Sequence, residues 1–318
     1  MGAGNRDVVV IGAGVVGATT AWTLADRGWN VELWSDRPCQ QTTSVVAAAV
    51  WRPYRAAPEG KVLRWAQRTF DVLEEFSDIL ESAVIMRRGI ELGRAVMSDP
   101  PWHTAVRSFR HARQEELPPG FIDGLVYTVP VVTMSEHLPW LLRGLTAKGV
   151  RTSSRRVTSL TEIAAERPRI VNATGLAARE LANDDSVYPV RGQVLRVTNP
   201  GLTGFCLDYD NPLGLTYVVP RGSDVILGGT DQERSWSIQP NDEDAAGILA
   251  RCQKLVPQLT DARVLDRFVG LRPARPSVRV EREVTPDGGL IVHNYGHGGA
   301  GVTIAWGCAE YAADLLEL

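Results

Sequence analysis

The sequence predicts an α/β fold in which a parallel-sheet unit is interwoven with a mainly antiparallel one. Three observations carry this. The amino-terminal region holds a β-branched run, Val8-Val9-Val10-Ile11, that passes directly into a glycine turn and a helix. The carboxy-terminal region repeats the order, with Leu290-Ile291-Val292-His293 followed by a glycine-rich loop and a helix from Val302 to Leu316. Between them, from about Val194 to Val284, short strands alternate with turns, as in Thr216-Tyr217-Val218-Val219-Pro220 and Asp224-Val225-Ile226-Leu227-Gly228-Gly229. A continuous β-branched run suits a strand buried on both faces, whereas strand–turn–strand spacing suits an antiparallel sheet. No Gly/Ser linker or repeat separates the two textures, so the second unit must be woven into the first.

The intervening elements follow in order. Val15 to Arg27 reads as a helix closed by Gly28, and Val31-Glu32-Leu33-Trp34 as the second strand. From Lys61 to Glu81, Val62, Trp65, Ala66, Leu73, Phe76 and Leu80 fall on one amphipathic face, which should pack on a sheet. Asp99-Pro100-Pro101 and Leu117-Pro118-Pro119-Gly120 mark loops, and Ser135 is expected to cap a helix that runs to about Lys148 and ends at Gly149. Arg169-Ile170-Val171 supplies another strand. This reading assigns 1–55, 141–190 and 285–318 to a discontinuous nucleotide-binding domain, and 56–140 and 191–284 to a substrate-binding domain.

Composition narrows the function. The chain has 318 residues, 44% hydrophobic and 22% charged, with a formal net charge of -3. That balance offers no basic excess for nucleic acid or an anionic membrane surface, and directs attention to small molecules. No stretch approaches the roughly eighteen consecutive apolar residues of a membrane span, and no signal-peptide pattern precedes Val8, so a cytoplasmic location is expected. The end, Leu315-Leu316-Glu317-Leu318, carries no Ser-Lys-Leu address. Cys39, Cys206, Cys252 and Cys308 are far apart and form no CxxC pair, so free thiols are expected rather than disulfides or zinc.

Gly12-Ala13-Gly14-Val15-Val16-Gly17 is a GxGxxG placed after a strand and at the start of a helix, the context in which that pattern binds a dinucleotide. The first glycine permits a tight turn, the second a close approach of backbone to pyrophosphate, and the third close packing of helix on strand. The phosphate charge then meets the positive end of the helix. Asp36, just past the second strand, is the candidate for the ribose hydroxyls; Glu32 competes with it but lies inside the strand. This motif alone does not separate NAD from FAD. The loop Gly296-His297-Gly298-Gly299-Ala300-Gly301, leading into a helix opened by Val302 and Thr303, favours FAD. A second set of free N–H groups at a helix start would stabilise the anionic pyrimidine of a reduced flavin, and a nicotinamide makes no such demand.

Beyond these motifs the chain resembles the D-amino-acid oxidase family along nearly its whole length. The resemblance rests on His293-Asn294-Tyr295-Gly296-His297-Gly298-Gly299-Ala300-Gly301-Val302-Thr303 with Trp306-Gly307, on Gly270-Leu271-Arg272-Pro273-Ala274-Arg275-Pro276, and on Val190-Arg191-Gly192-Gln193. Thr42-Thr43-Ser44 through Ala47-Ala48-Ala49-Val50-Trp51-Arg52-Pro53-Tyr54 is similar to the family's flavin-contacting loop. The resemblance implies a Rossmann-like FAD-binding domain interwoven with a mainly antiparallel substrate-binding sheet, and a non-covalent FAD. It implies hydride transfer from a D-amino acid to flavin, hydrolysis of the imino acid to a 2-oxo acid and ammonia, and reoxidation by molecular oxygen to hydrogen peroxide. Arg272 matches the residue that holds the substrate carboxylate, Tyr217 the hydroxyl donor to the same group, and Gly299 the carbonyl that accepts the amine. The implied FAD positions are Gly12, Gly14, Gly17, Asp36, Arg37, Thr42, Thr43, Ala48, Ala49, Val50, Val157, Thr174, Gly175, Gly299, Ala300, Gly301, Val302 and Thr303. A homodimer is compatible with this reading.

The assigned roles make chemical sense. A guanidinium fork fixes the plane of a carboxylate, so orientation is the main contribution to rate, and an amine that enters unprotonated needs no general base. Leu213 stands where mammalian-type members carry a lid tyrosine, and the short segment Cys206 to Thr216 predicts a smaller cover with faster product release. Arg52 is expected to pair internally rather than meet an acidic substrate, which favours neutral D-amino acids. His293 and His297 are expected in structural roles, and Arg275 and Arg279 in ion pairs away from the face used by Arg272. The alternatives are a D-aspartate oxidase, a glycine- or sarcosine-type oxidase, and a flavin-binding protein without turnover.

Overall fold

The computed structural model describes residues 6–167 and 169–318. Among them, six strands form one sheet in the order Arg279–Val284, Leu290–Tyr295, Arg169–Asn172, Asp7–Ile11, Asn30–Ser35 and Arg151–Ser154. The last five are parallel, and Arg279–Val284 joins them as the antiparallel arm of a hairpin. Sequence reading had placed 279–284 with the substrate-binding segments. The turn that precedes Leu290 returns this strand to the parallel sheet instead, with Val280 opposite Asn294 and Glu283 opposite Ile291.

Alternation along Asp7–Ile11 explains its β-branched run. Val8 and Val10 face the helices Val15–Asp26 and Gly301–Glu317, while Val9 and Ile11 face Leu160–Glu166 on the other side. All four are almost fully buried, each burial contributing about 1.5–3 kcal/mol. The parallel sheet therefore has both faces covered.

A second sheet of nine strands is antiparallel throughout except where Val84–Gly93 runs parallel to Phe205–Asp208. Its central strand Tyr188–Thr198 is flanked by Asp224–Gly228 and by Val264–Ala274. One face is covered by the helix Asp242–Leu255, through Leu195, Val197, Val218, Leu227, Ile248 and Cys252. The opposite face carries Val194, Tyr217, Val219 and Ile226 into the main core. Tyr217 thus points away from the covering helix. That helix was not anticipated, although its signals are in the sequence: Asn241 caps it by accepting from the Asp244 N–H at 2.8 Å, and Asp242, Glu243 and Asp244 fill its first turn.

The helix expected over 61–81 spans Glu59–Phe76, and a separate short turn, Leu80–Ser82, follows. Leu80 fits the helical spacing but is 90% exposed, because the chain has already left the helix. The buried face packs on the Val84–Gly93 and Asp123–Val132 strands and, more extensively, on the carboxy-terminal helix, through a contact that requires Gly307. A Cβ at Gly307 would lie 2.3 Å from Trp65 Cα. Gly307→Ala should therefore lower stability by about 1–3 kcal/mol, although alanine is the better helix former. A urea midpoint equal to or above that of the native chain would show that these helices are not in close contact.

The helix expected to begin at Ser135 starts instead at Met134 with Thr133 before it, and Gly149 closes it at φ 81°. All four cysteines are free. Among the described residues no helix is long and apolar enough to cross a membrane, and no cluster of side chains has a metal-binding arrangement.

Candidate active site

The parallel strands run, in space, third–second–first–fourth–fifth, so the strand order reverses between Asp7–Ile11 and Arg169–Asn172. Ligands of such sheets lie beyond the carboxyl ends of the strands at this reversal. The two chain segments that leave the strands there touch. The Ala173 N–H donates to Ile11 O at 2.9 Å, and a Cβ at Gly12 would lie 2.3 Å from Ala173 O. Gly12 also has φ 109°, which a larger residue resists. A Cβ at Gly17 would meet Gly12 O at 1.7 Å, so the helix seats directly on the turn. Gly14 is partly exposed and stands at the helix start, where Ser44 Oγ accepts from the Val15 N–H at 3.0 Å.

Other positions expected to hold the nucleotide surround this crevice. Asp36 is exposed just past the second strand, and Arg37 donates to its two carboxylate oxygens at 2.8 Å each. That bond, with a smaller opposing effect of desolvation, holds the Asp36 carboxyl below the usual aspartate range. Glu32 is turned instead toward Arg151 and Arg167. Val157, just past the edge strand Arg151–Ser154, packs on the apolar cluster that includes Trp34. The Thr174 hydroxyl donates to Asn172 Oδ1 at 2.7 Å, and Gly175 lies near Pro273 with φ 60°.

The loop from Thr42 to Val50 passes between the two sheets. The Thr42 hydroxyl donates to Cys39 O at 2.7 Å, and that of Thr43 to Leu271 O at 3.0 Å, beside Arg272. Ala48, Ala49 and Val50 remain partly exposed; Ala49 has φ 52°, and Val50 bridges to Val131. The second glycine loop meets this segment: the Thr303 hydroxyl donates to Arg52 O at 3.2 Å. Its helix lies beside the amino-terminal one, with the Thr19 hydroxyl donating to Ala305 O at 3.4 Å. Gly301 and Val302 are partly exposed at the helix start, while Ala300 and Thr303 are buried.

Gly299 is exposed and lies beside Tyr54 and the stem of Arg272. A Cβ there would lie 3.5 Å from Tyr54 Cδ1 and 3.7 Å from Arg272 Cδ. Arg272 comes from Val264–Ala274 and crosses the neighbouring strand at Gly192, where a Cβ would lie 2.4 Å from its Nη2. This gives the Val190-Arg191-Gly192-Gln193 stretch a physical reason: the glycine makes room for one arginine, while buried Arg191 binds Asp244 at 2.9 Å and Ser237 O at 3.1 Å. Arg272 Nη1 donates to Thr230 O at 3.0 Å, and the guanidinium charge is felt at the buried Tyr217 hydroxyl. Burial raises the pKa of Tyr217 against the opposing charge of Arg272, so its hydroxyl keeps its proton. Gly228 lies against the Tyr217 ring, where any Cβ would clash.

Tyr209, Asp208, Glu91 and Asp231 escaped the sequence reading, which named Tyr54 and Arg52 without these partners. Tyr54 stacks on Tyr209, with ring centroids 5.1 Å apart and an interplanar angle of 23°. Tyr209 belongs to the same short segment as Leu213, which is 69% exposed. Leu213 is thus not the residue of this segment that reaches the site. The preceding Asp208 is fully buried and bound by Arg94 Nη2 at 2.8 Å and by Asn211 at 2.9 Å, which fixes the turn that carries Tyr209. Arg52 is held by Glu91, with Nε to Oε2 at 2.8 Å and Nη2 to Oε1 at 2.6 Å. Its internal pairing agrees with expectation; its partner, 39 residues away, had no sequence signal. Asp231 is occupied by Arg55.

The remaining motif residues are structural. His293 lies between Glu283 at 2.9 Å and Asn172 at 3.2 Å, and burial pushes the enclosed His297 down to about 4, leaving it neutral. Arg275 binds Asp184 at 2.9 Å, and Arg279 donates to the Tyr295 hydroxyl at 2.6 Å.

Comparison with known proteins agrees with this geometry. A family model described as FAD dependent oxidoreductase matches residues 7–315. A D-amino-acid oxidase of Rubrobacter xylanophilus is 49% identical over 308 residues, covering 96% of this chain and 94% of that protein. One of Streptomyces coelicolor is 46% identical over 315 residues, covering 98% and 97%. Among solved structures, a glycine oxidase of Bacillus cereus superposes with a TM-score of 0.79 at 18% identity, covering 98% of this chain and 94% of that one, a likeness of fold alone.

Proposed function

The chain belongs to the family of FAD-dependent oxidoreductases, and from that premise we infer that it is a D-amino-acid oxidase, producing a 2-oxo acid, ammonia and hydrogen peroxide with molecular oxygen as acceptor. The observation that carries the reading is Arg272, with the Tyr217 hydroxyl within reach of its charge and Gly299 beside its stem, facing the crevice between the two sheets.

The residues present fit FAD. Gly12, Gly14 and Gly17 keep the turn at the strand reversal clear of side chains, and the fit extends to the second glycine loop, whose helix lies beside the first. We assign the adenosine diphosphate half to Gly12, Gly14, Gly17, Asp36, Arg37, Val157, Thr174 and Gly175. The flavin half falls to Thr42, Thr43, Ala48, Ala49, Val50 and Gly299, Ala300, Gly301, Val302, Thr303. Ser44, already bonded to the Val15 N–H, trims the helix start for the same purpose. The parallel-sheet segments form the FAD-binding domain, and the larger sheet forms the substrate-binding domain.

When bound, the flavin supplies a two-electron acceptor for the hydrogen on the substrate Cα. This chain's residues supply orientation. The Arg272 fork receives the substrate carboxylate, and the protonated Tyr217 hydroxyl donates a hydrogen bond to the same group. The Gly299 carbonyl accepts from the amine, fixing the third direction about Cα. Tyr54 and Tyr209 close the site with apolar faces and limit water. Glu91 and Asp231 are each bound by an arginine, so neither is a free base.

A peroxide assay of the purified yellow protein over paired D- and L-amino acids tests the reading, with 2-oxo acid formed in equal amount. Turnover confined to L-amino acids, glycine or sarcosine would refute it. Tyr217→Phe should lower kcat/KM by about tenfold, chiefly through KM, because one hydrogen bond to a charged group is lost and the ring remains. An unchanged KM would remove the hydroxyl from carboxylate binding.

A further inference from the structure

Arg52 and Glu91 sit beside the proposed substrate site without a part in the roles assigned above. The Arg52 guanidinium carbon lies 4.7 Å from the Tyr209 ring centroid and 6.0 Å from that of Tyr54. Tyr54 and the stem of Arg272 both border Gly299. The Arg52 cation therefore stands one aromatic ring away from the place where a substrate carboxylate and amine would be held. A cation so placed is suited to an acidic side chain, but its charge is already engaged. Glu91 takes both Nε and Nη2, and Nη1 donates to Pro53 O at 3.2 Å. The Tyr127 hydroxyl, itself wholly buried, donates to Glu91 Oε2 at 3.0 Å and fixes the carboxylate. Side-chain exposures of 20% for Arg52 and 6% for Glu91 leave little water to screen either charge.

We propose that Glu91 is a specificity-determining residue: by neutralising Arg52 it makes the site select D-amino acids with uncharged side chains and reject D-aspartate and D-glutamate. This rests on the reading of Arg272 as the carboxylate anchor. A second carboxylate entering beside Tyr54 and Tyr209 meets a guanidinium whose bidentate edge is already spent on Glu91, and a like charge held just behind it. An uncharged side chain meets only the aromatic faces. Rejection thus comes from a repulsive element within the protein, a route to specificity distinct from better contacts to the favoured substrate.

The test compares kcat/KM for D-aspartate and D-glutamate with that for D-methionine. Calorimetric binding of succinate and butyrate, which lack the reacting amine, accompanies it. Glu91→Gln should raise the acidic-to-neutral ratio by about tenfold or more and tighten succinate relative to butyrate. Arg52→Gln combined with Glu91→Gln should return both ratios to within about threefold of the native protein, since no net charge then faces the site. If Glu91→Gln does not fold, Arg52→Gln alone decides. It leaves the carboxylate uncancelled, and the acidic-to-neutral ratio should fall by about tenfold at pH 8. Ratios unchanged in a folded Glu91→Gln, or in Arg52→Gln where that variant decides, overturn the proposal. The same rise in the double variant as in Glu91→Gln also overturns it. Native protein that binds neither butyrate nor succinate would point to a failure of the Arg272 reading instead, because the monocarboxylate needs that anchor alone.

Discussion

Arg272→Ala is expected to lose about three orders of magnitude in kcat/KM for every D-amino acid while the purified protein keeps its full complement of flavin. The size follows from the chemistry of the group removed. A guanidinium facing a carboxylate in a partly desolvated site makes two charge-assisted bonds, and truncating one partner of such a pair costs about 4 kcal/mol, or roughly a thousandfold. The alanine variant also loses the fixed plane of the substrate, so kcat should fall together with a rise in KM. Flavin retention is expected because Arg272 enters the site from the antiparallel sheet, across Gly192, and not from the glycine turns at the strand reversal. Steady-state kinetics and the visible spectrum of the same preparation decide the matter. A loss below about tenfold would remove Arg272 from the carboxylate. A colourless protein would show that it supports cofactor binding instead. Arg272→Lys should recover only part of the loss, since an ammonium restores charge without the planar fork.

The contrast between Arg272 and Glu91 shows how far such a site is legible in sequence. Arg272 stands in a local pattern, Gly270-Leu271-Arg272-Pro273, and its companion Gly192 sits in another, so each is found by motif. Both glycine turns are legible for a related reason. Their function requires particular backbone conformations and close approaches, and residue type records those requirements locally. Glu91 has no such record. It is one acidic residue on the Val84–Gly93 strand, and its meaning comes from Arg52 and Tyr127, which the second sheet and the loop after Val50 bring to it. Tyr209 is hidden in the same way, because its position depends on the anchoring of Asp208 by Arg94 rather than on any spacing. The limits of the 61–81 helix were misjudged because periodicity reports which residues could share a face. It does not report where the chain turns away, as it does before the exposed Leu80. Conversely, the helix Asp242–Leu255 carried a legible cap that the surrounding strand texture outweighed.

Gly17→Ala and Gly14→Ala, two single methyl additions three residues apart, should fail in different ways. In Gly17→Ala the new methyl would lie 1.7 Å from Gly12 O and 2.9 Å from Gly12 C, atoms of a turn that cannot rotate aside. The helix and the first strand must separate, and with them the contact of Gly12 with Ala173. The gain of about 1 kcal/mol in helix propensity cannot offset overpacking against backbone, so the apoprotein should lose about 3 kcal/mol or more and bind little FAD. In Gly14→Ala the nearest atom to the methyl is Ser44 Oγ at 3.2 Å, and a hydroxyl can turn away. Apoprotein stability should stay within about 1 kcal/mol of native. The methyl instead occupies the partly exposed start of the helix, where the pyrophosphate must approach the backbone. Losing one charge-assisted contact there should weaken FAD by about 2–3 kcal/mol, or roughly 30- to 150-fold. Urea unfolding of the two apoproteins, together with FAD titration followed by flavin fluorescence, separates the outcomes. Native FAD affinity in Gly14→Ala would mean that the phosphates do not pass this turn, and native stability in Gly17→Ala would mean that helix and strand are not held in contact here. The different responses follow from one physical distinction: at Gly17 the space is needed by the protein itself, whereas at Gly14 it is reserved for the ligand.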